Sequence, residues 1–249
     1  MLMTYSQHDT NTETTSWVSG TLSKTLVLTK AVILASGFAA TPLALASKNT
    51  PVKGDAQHRP SGHFSKQSLK GWSERSFKGN TEYKLVDDGG VTVLRGHTKG
   101  QASILYREQT VNLQKSPIIS WSWKVDRTFD GIDEQSKSGD DFPARLYVVA
   151  KVGFLPWETL AINYVWASEE ATGESWDNPF TDKARMVVVQ SGPDNVGHWI
   201  LETRDVEADF KEQFGTDIEE IDGYAVMVDG DNSNREATAW FGKIRFSPR

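Results

Sequence analysis

The sequence predicts an all-β protein, a single antiparallel β-sandwich of jelly-roll-like pattern with one short helix near residues 205–215. Three observations predict it. From about residue 62 onward, short runs rich in Val, Ile, Tyr and Trp alternate with clusters of Gly, Asp, Asn and Pro. That is the rhythm of many short strands joined by tight turns, not of βαβ units. Asp87-Asp88-Gly89-Gly90 divides two such runs, 81–86 and 91–95, as a hairpin turn does. Only residues 205–215 break the rhythm: Val206, Phe210 and Phe214 fall on one helical face, with Asp205 placed to cap the start and Gly215 just past the end.

The remaining strands follow in order. Residues 103–106, Ile118–Val125, 145–152, 160–166, 184–190, 199–203, 224–228 and 239–246 are each rich in β-branched or aromatic residues and bounded by turn chemistry. The helix is short and amphipathic, which suits a cover over an open end or edge of the sandwich. No internal repeat divides the chain, so residues 62–249 read as one domain.

The first 46 residues read differently. Lys24 and Lys30 precede the apolar run 31–40, and small residues at alternate positions then lead to Ala46. Basic, apolar and small-residue segments in this order form a secretory signal, cleaved after Ala46. A membrane-spanning helix needs about 20 mostly apolar residues. Lys30, Gly37 and Pro42 shorten this stretch, so no anchor is expected after processing. The polar tract before Lys24 is long for a signal, which suits a translation start downstream of Met1. Residues 47–61, polar with Pro51, Gly54 and Pro60, read as a flexible leader.

Composition narrows the setting. The 249-residue chain has no Cys, which excludes disulfides, thiol nucleophiles and thiolate metal sites. A mature chain of about 200 residues is large enough to rely on its apolar core. Export without disulfides fits a bacterial periplasm or secretion from a bacterium. Asp9 and Glu13 cancel Lys24 and Lys30, so the net charge of −6 belongs to the mature part. An acidic chain without a basic tract is unsuited to nucleic acid.

An ordered set of motifs runs along the strands. It begins with Trp121-x-Trp123-Lys124, Gly139-Asp140-Asp141-x-x-Ala144-Arg145-x-Tyr147, Tyr164-x-Trp166 and Ser191-Gly192. Trp199-x-x-Glu202-x-Arg204-x-Val206-x-x-Asp209 follows, then Phe214-Gly215, Asp229-x-Asp231-Asn232 and Ala239-Trp240-Phe241-Gly242. In this order they resemble the exported bacterial family known as Domain of Unknown Function 3047, over about residues 62–246. The resemblance implies an exported, periplasmic, β-rich domain without an established activity, and it carries over no catalytic residue. The strand pattern is also similar to that of jelly-roll carbohydrate-binding domains, an analogy of fold.

Alternation along strands sorts the candidate residues. In Ile118–Val125, Ile119, Trp121, Trp123 and Val125 share one face and are expected in the core. Ser120, Ser122 and Lys124 share the other, and Arg145 and Tyr147 of the next strand are expected to extend it. Glu202 and Arg204 share a strand face and are placed on the same polar surface. Trp157, Trp166 and Trp176 lie in or beside Gly/Pro-containing stretches, where core packing explains a Trp less readily. Indoles stack on the C–H faces of sugar rings. The candidate ligand-binding residues are therefore Arg145, Tyr147, Trp166, Trp176, Glu202 and Arg204.

Asp140, Asp141, Asp229 and Asp231 are candidate metal ligands, with calcium the cation suited to carboxylate oxygens. An EF-hand is excluded, because its sixth position is Asn234 and its twelfth is Trp240. The scattered His58, His63, His97 and His198 have no zinc-site spacing. There is no G-x-S-x-G elbow and no P-loop. The leading expectation is an exported, non-catalytic domain that binds carbohydrate or another polyhydroxylated ligand, or that associates with the envelope. One alternative is a glycoside hydrolase-like enzyme using two of Asp140, Asp141, Glu202, Asp229 and Asp231. The other is a structural or protein-interaction module of the cell envelope.

Overall fold

The computed structural model describes residues 59–65, 68–153 and 158–249. The expected signal segment, most of the leader and Trp157 lie outside them. Thirteen strands and one helix follow in chain order. They are β1 (Ser73–Lys78), β2 (Glu82–Asp88), β3 (Val91–Lys99), β4 (Ala102–Asn112), β5 (Ile118–Val125), β6 (Ala144–Lys151) and β7 (Thr159–Ala167). After these come β8 (Ser175–Asn178), β9 (Thr181–Ser191), β10 (Ile200–Asp205), α1 (Val206–Phe214), β11 (Glu220–Met227), β12 (Glu236–Phe241) and β13 (Arg245–Ser247).

The predicted β-sandwich is the fold. A seven-stranded sheet runs β1-β4-β11-β6-β7-β9-β8, and a six-stranded sheet runs β10-β5-β12-β3-β2 with β13 also paired to β5. The β2–β3 hairpin turns at Gly89 (φ 65°) and Gly90 (φ 87°), the two left-handed positions that this tight turn requires. The core lies between the sheets, where Trp121 and Trp123 of β5 meet Tyr164 and Trp166 of β7. Burying each indole removes about 150–250 Å² from water. At about 25 cal/mol per Å², each contributes roughly 4–6 kcal/mol.

The helix forms where expected. Asp205 accepts from the Ala208 N–H at 3.1 Å, and Gly215 closes the other end at φ 66° with its N–H on the Lys211 carbonyl. Val206 and Phe210 enter the core, and Phe214 stacks on Phe210. Val206 N–H on the Pro117 carbonyl ties α1 to the end of the sandwich where β5 begins. No helix among the described residues is long and apolar enough to cross a membrane.

The structure corrects several expectations. β1 and β8 escaped the sequence reading because they are edge strands: SERSFK and SWDN carry too few apolar residues to form a run. The stretch 239–246 is two strands, divided at Gly242, whose N–H bonds the Ser122 carbonyl. β7 and β9 run parallel, because β8 intervenes and pairs on the far side of β9. Ser61, expected in the leader, is fixed by its N–H on Ser122 Oγ at 2.8 Å. Most consequentially, β5 and β6 belong to different sheets. Ser120, Ser122 and Lys124 therefore sit on the opposite outer face of the molecule from Arg145 and Tyr147.

Candidate functional site

The outer face of the seven-stranded sheet carries a row of side chains that no sequence run displays. Tyr106 of β4 pairs in register with Ala225 of β11, and Ala225 with Tyr147 of β6. Tyr147 pairs with Asn163 of β7, Asn163 with Met186 of β9, and Met186 with Trp176 of β8. Residues paired across a ladder point the same way. Because Leu146, Tyr164 and Val187 face the core, their neighbours Tyr147, Asn163 and Met186 face outward. Strands lie about 4.8 Å apart, so the row spans about 24 Å from β4 to β8, and about 14 Å separates Tyr147 from Trp176.

Three aromatic rings stand partly exposed along this row: Tyr106, Tyr147 and Trp176. Ala225 lies between the two tyrosines, fully buried with both packed against its cluster. Tyr147 donates its hydroxyl to Met227 Sδ at 3.4 Å, and burial holds that hydroxyl well above the usual phenol range, so it stays neutral. Trp176 lies beside Phe142, with ring centroids 6.5 Å apart.

Two residues along the strands, the same face is braced by a buried ionic knot. Arg145 pairs in register with Met227 and Val165, yet it is only 1% exposed. Its Nε donates to Asp229 Oδ1 at 2.8 Å, Nη1 to Asp140 Oδ1 at 3.1 Å, and Nη2 to both Asp229 Oδ2 and the Asp140 carbonyl. Phe142 covers the guanidinium at 4.5 Å. Burial alone would lower the Arg145 pKa, but Asp140 and Asp229 more than offset that and hold it well above its ordinary value. Asn178 links knot to row, because its Nδ2 reaches both Asp140 Oδ2 (3.2 Å) and Met186 Sδ (3.6 Å).

Asp141 organises the turn after β11. Its Oδ1 accepts from the Asn232 N–H and its Oδ2 from the Ser233 N–H and hydroxyl. Asp141, Asp229 and Asp231 each present a carboxylate oxygen within 4.8 Å of the others, a donor set of the kind hard cations take. The oxygens of Asp141 and Asp229 are already engaged by Ser233, Asn232 and Arg145. A cation here would compete with these groups.

Trp166, Glu202 and Arg204 lie elsewhere, which corrects their placement on the Arg145 surface. Trp166 falls on the inward face of β7 with Ile162 and Tyr164, fully buried, and donates to the Gly192 carbonyl at 3.2 Å. Glu202 is in register with Trp121 on the core side of β10. Its Oε1 accepts from Gln190 Nε2 (2.9 Å) and Trp123 Nε1 (3.3 Å). Burial pushes its carboxyl up to about 7, against the pull of those two donors. Arg204 grips Asp209 of α1, which also takes the Tyr164 hydroxyl at 2.6 Å.

The five acidic residues of the hydrolase alternative are thus divided between the core side and the knot. Asp140, Asp141, Asp229 and Asp231 are at most 9% exposed, so none of them lines an open Trp-lined cleft. Tyr106, Asn163, Met186 and Ala225 were missed by the sequence reading. The one available signal was Asn163, an amide in the middle of the apolar strand TLAINYVWA.

Comparison with known proteins gives the following. The model of a family described as "Protein of unknown function (DUF3047)" matches residues 70–245. No curated protein matches the sequence. Among solved structures, the carbohydrate-binding module CBM28, specific for non-crystalline cellulose, aligns at 9% identity and a TM-score of 0.40, covering 76% of this chain and 94% of its own. The xyloglucanase domain of NopAA, a type three effector from Sinorhizobium fredii, aligns at 13% identity and 0.40, covering 77% and 99%. The enzymatically active domain of tailspike protein 4 from bacteriophage CBA120 aligns at 6% identity and 0.37. There 78% of this chain is covered, and it spans 22% of the tailspike chain.

Proposed function

Because this chain belongs to the DUF3047 family, whose description names no activity, we propose its function from the platform itself. It is an exported, non-catalytic β-sandwich that binds a carbohydrate or a similar polyhydroxylated chain across the outer face of the seven-stranded sheet. The observation that carries this reading is the register-aligned row Tyr106, Ala225, Tyr147, Asn163, Met186, Trp176.

Saccharide rings are amphipathic: their C–H faces stack on aromatic rings, while their hydroxyls need fixed polar partners. The partly exposed rings of Tyr106, Tyr147 and Trp176 meet the first need, and Asn163 and the Trp176 indole N–H are the polar groups set among them. The row lies on paired strands, not on loops, so its spacing is rigid and a repeating chain can be matched along it. The knot beside the row keeps β6 and the turn after β11 in place, its carboxylates engaged by Arg145, Asn232 and Ser233, which favours binding over hydrolysis. Export is supported by the basic, apolar and small-residue order of residues 24–46.

The test is a glycan array followed by calorimetric titration of the best ligand. Tyr147→Ala and Trp176→Ala are each expected to weaken binding by at least about tenfold, or roughly 1.4 kcal/mol. Trp240→Ala, on the outer face of the other sheet, should leave affinity unchanged. Equal affinities for all variants, or a protein partner captured without any glycan signal, would overturn the reading.

A further inference from the structure

Two polar atoms in the row have no hydrogen-bond partner among the described residues: Asn163 Oδ1 and Trp176 Nε1. They flank Met186, which is in register with both residues. Asn163 is 1% exposed, between Tyr147 on one side and Met186 on the other. The donor end of its amide is fixed, because Nδ2 sits 3.4 Å from Met186 Sδ and a thioether accepts but does not donate. That leaves Oδ1 as a buried acceptor with nothing to accept. The same sulfur also takes the Asn178 amide at 3.6 Å.

Three good donors or acceptors are therefore occupied by one weak acceptor or by nothing. A leucine at 163, of similar volume, would fill the position without burying an unpaired amide. Met186 lies between them, 0% exposed and packed with Phe142, Val165, Val188 and Trp176. It is unbranched, with three rotatable bonds, and makes no directional contact stronger than the two amide–sulfur ones, so among these neighbours it is the side chain best able to change rotamer.

We propose that Asn163 and Trp176, on either side of Met186, form a polar subsite that receives one hydroxylated ring of the ligand once Met186 has moved. In the bound state Met186 is displaced, a ring hydroxyl donates to Asn163 Oδ1, and a neighbouring ring oxygen accepts from Trp176 Nε1. Tyr106 and Tyr147 supply the apolar stacking on one side of this subsite. The row thus separates affinity from selectivity: aromatic rings hold any sugar face, while the subsite requires a hydroxyl at a defined position. A site built to bond a hydroxyl discriminates strongly against an analogue lacking it, because the analogue leaves the protein groups unpaired. This inference rests on the carbohydrate-binding reading above and specifies where in the row recognition occurs.

The experiment is titration of the best-bound saccharide and its monodeoxy series against wild type, Asn163→Leu, Trp176→Phe and Tyr147→Ala. Trp176→Phe keeps an aromatic ring on the edge strand while removing the indole N–H together with the pyrrole half of the ring. Deleting one particular hydroxyl should cost wild type about tenfold in affinity and cost Asn163→Leu nothing, since the partner is already gone. Asn163→Leu should also melt at or above the wild-type temperature. If Asn163→Leu and Trp176→Phe keep wild-type affinity while Tyr147→Ala loses it, the subsite is wrong and the platform stands. A full penalty for every deoxy analogue in Asn163→Leu would likewise overturn the subsite, as would a large fall in its melting temperature. Absence of saccharide binding by wild type would overturn both.

Discussion

Arg145 holds the acidic residues beside the platform in one buried ionic knot. One guanidinium sits between Asp140 and Asp229, all three 0–1% exposed. Removing the cation while leaving the carboxylates buried is far more costly than losing a surface pair. Arg145→Met is therefore expected to lower unfolding stability by about 3–5 kcal/mol, seen as a fall in urea midpoint. A loss below about 1 kcal/mol, the range of exposed pairs, would contradict it. Because Arg145 already supplies the positive charge, calcium or EDTA should leave the wild-type melting temperature unchanged. A rise with calcium would instead identify Asp141, Asp229 and Asp231 as metal ligands. Glu202 makes a different prediction. Its folded pKa, about 7, lies above its unfolded value of 4.5. Between those values the folded protein retains a proton that the unfolded chain has released, so stability falls as pH rises through this window and is level above it. Melting temperatures of wild type and Glu202→Gln, compared across pH 4.5 to 7.5, should diverge in favour of Gln as pH rises. Parallel curves would sink this assignment.

At the level of elements, residues 126–143 join the two sheets and bring Asp140, Asp141 and Phe142 to the platform's edge. They are latched to the turn after β7 by Glu134, fully buried, whose carboxylate accepts the N–H groups of Ser168, Glu169 and Glu170. Burial raises its pKa, and those three bonds partly offset the rise. Glu134→Ala would orphan three backbone donors, at about 1–3 kcal/mol for each that water cannot reach. Hydrogen exchange should then accelerate at 168–170 while β7 stays protected; unchanged exchange would show that the latch carries no stability. These elements also show what could be read from sequence. Ile118–Val125 and α1 were legible because their apolar periodicity and caps are local. The outer-face row was not, because it depends on which strands become neighbours, and β5 and β6 are adjacent in sequence but separated into two sheets by residues 126–143. Trp166 misled for a related reason: its nearness to a turn said less than its parity with Tyr164.

For the whole molecule, the proposed export and the proposed ligand platform are tested separately. Mass spectrometry of the protein from its native host should find a mature N-terminus near Ser47; an intact cytosolic chain would contradict export. The platform is tested most directly through the tryptophan indole N–H signals, observed by NMR during titration with a saccharide identified on the array. Trp176 Nε1 has no hydrogen-bond partner among the described residues, whereas Trp199 Nε1 is already bonded to Asp88 at 2.9 Å on the other side of the molecule. A ligand on the platform should produce a large, saturable shift of the Trp176 indole proton as it gains an oxygen partner, with the Trp199 and Trp240 signals unmoved. A saturable shift confined to Trp199 or Trp240, with Trp176 unchanged, would place the ligand on the opposite sheet and overturn the platform.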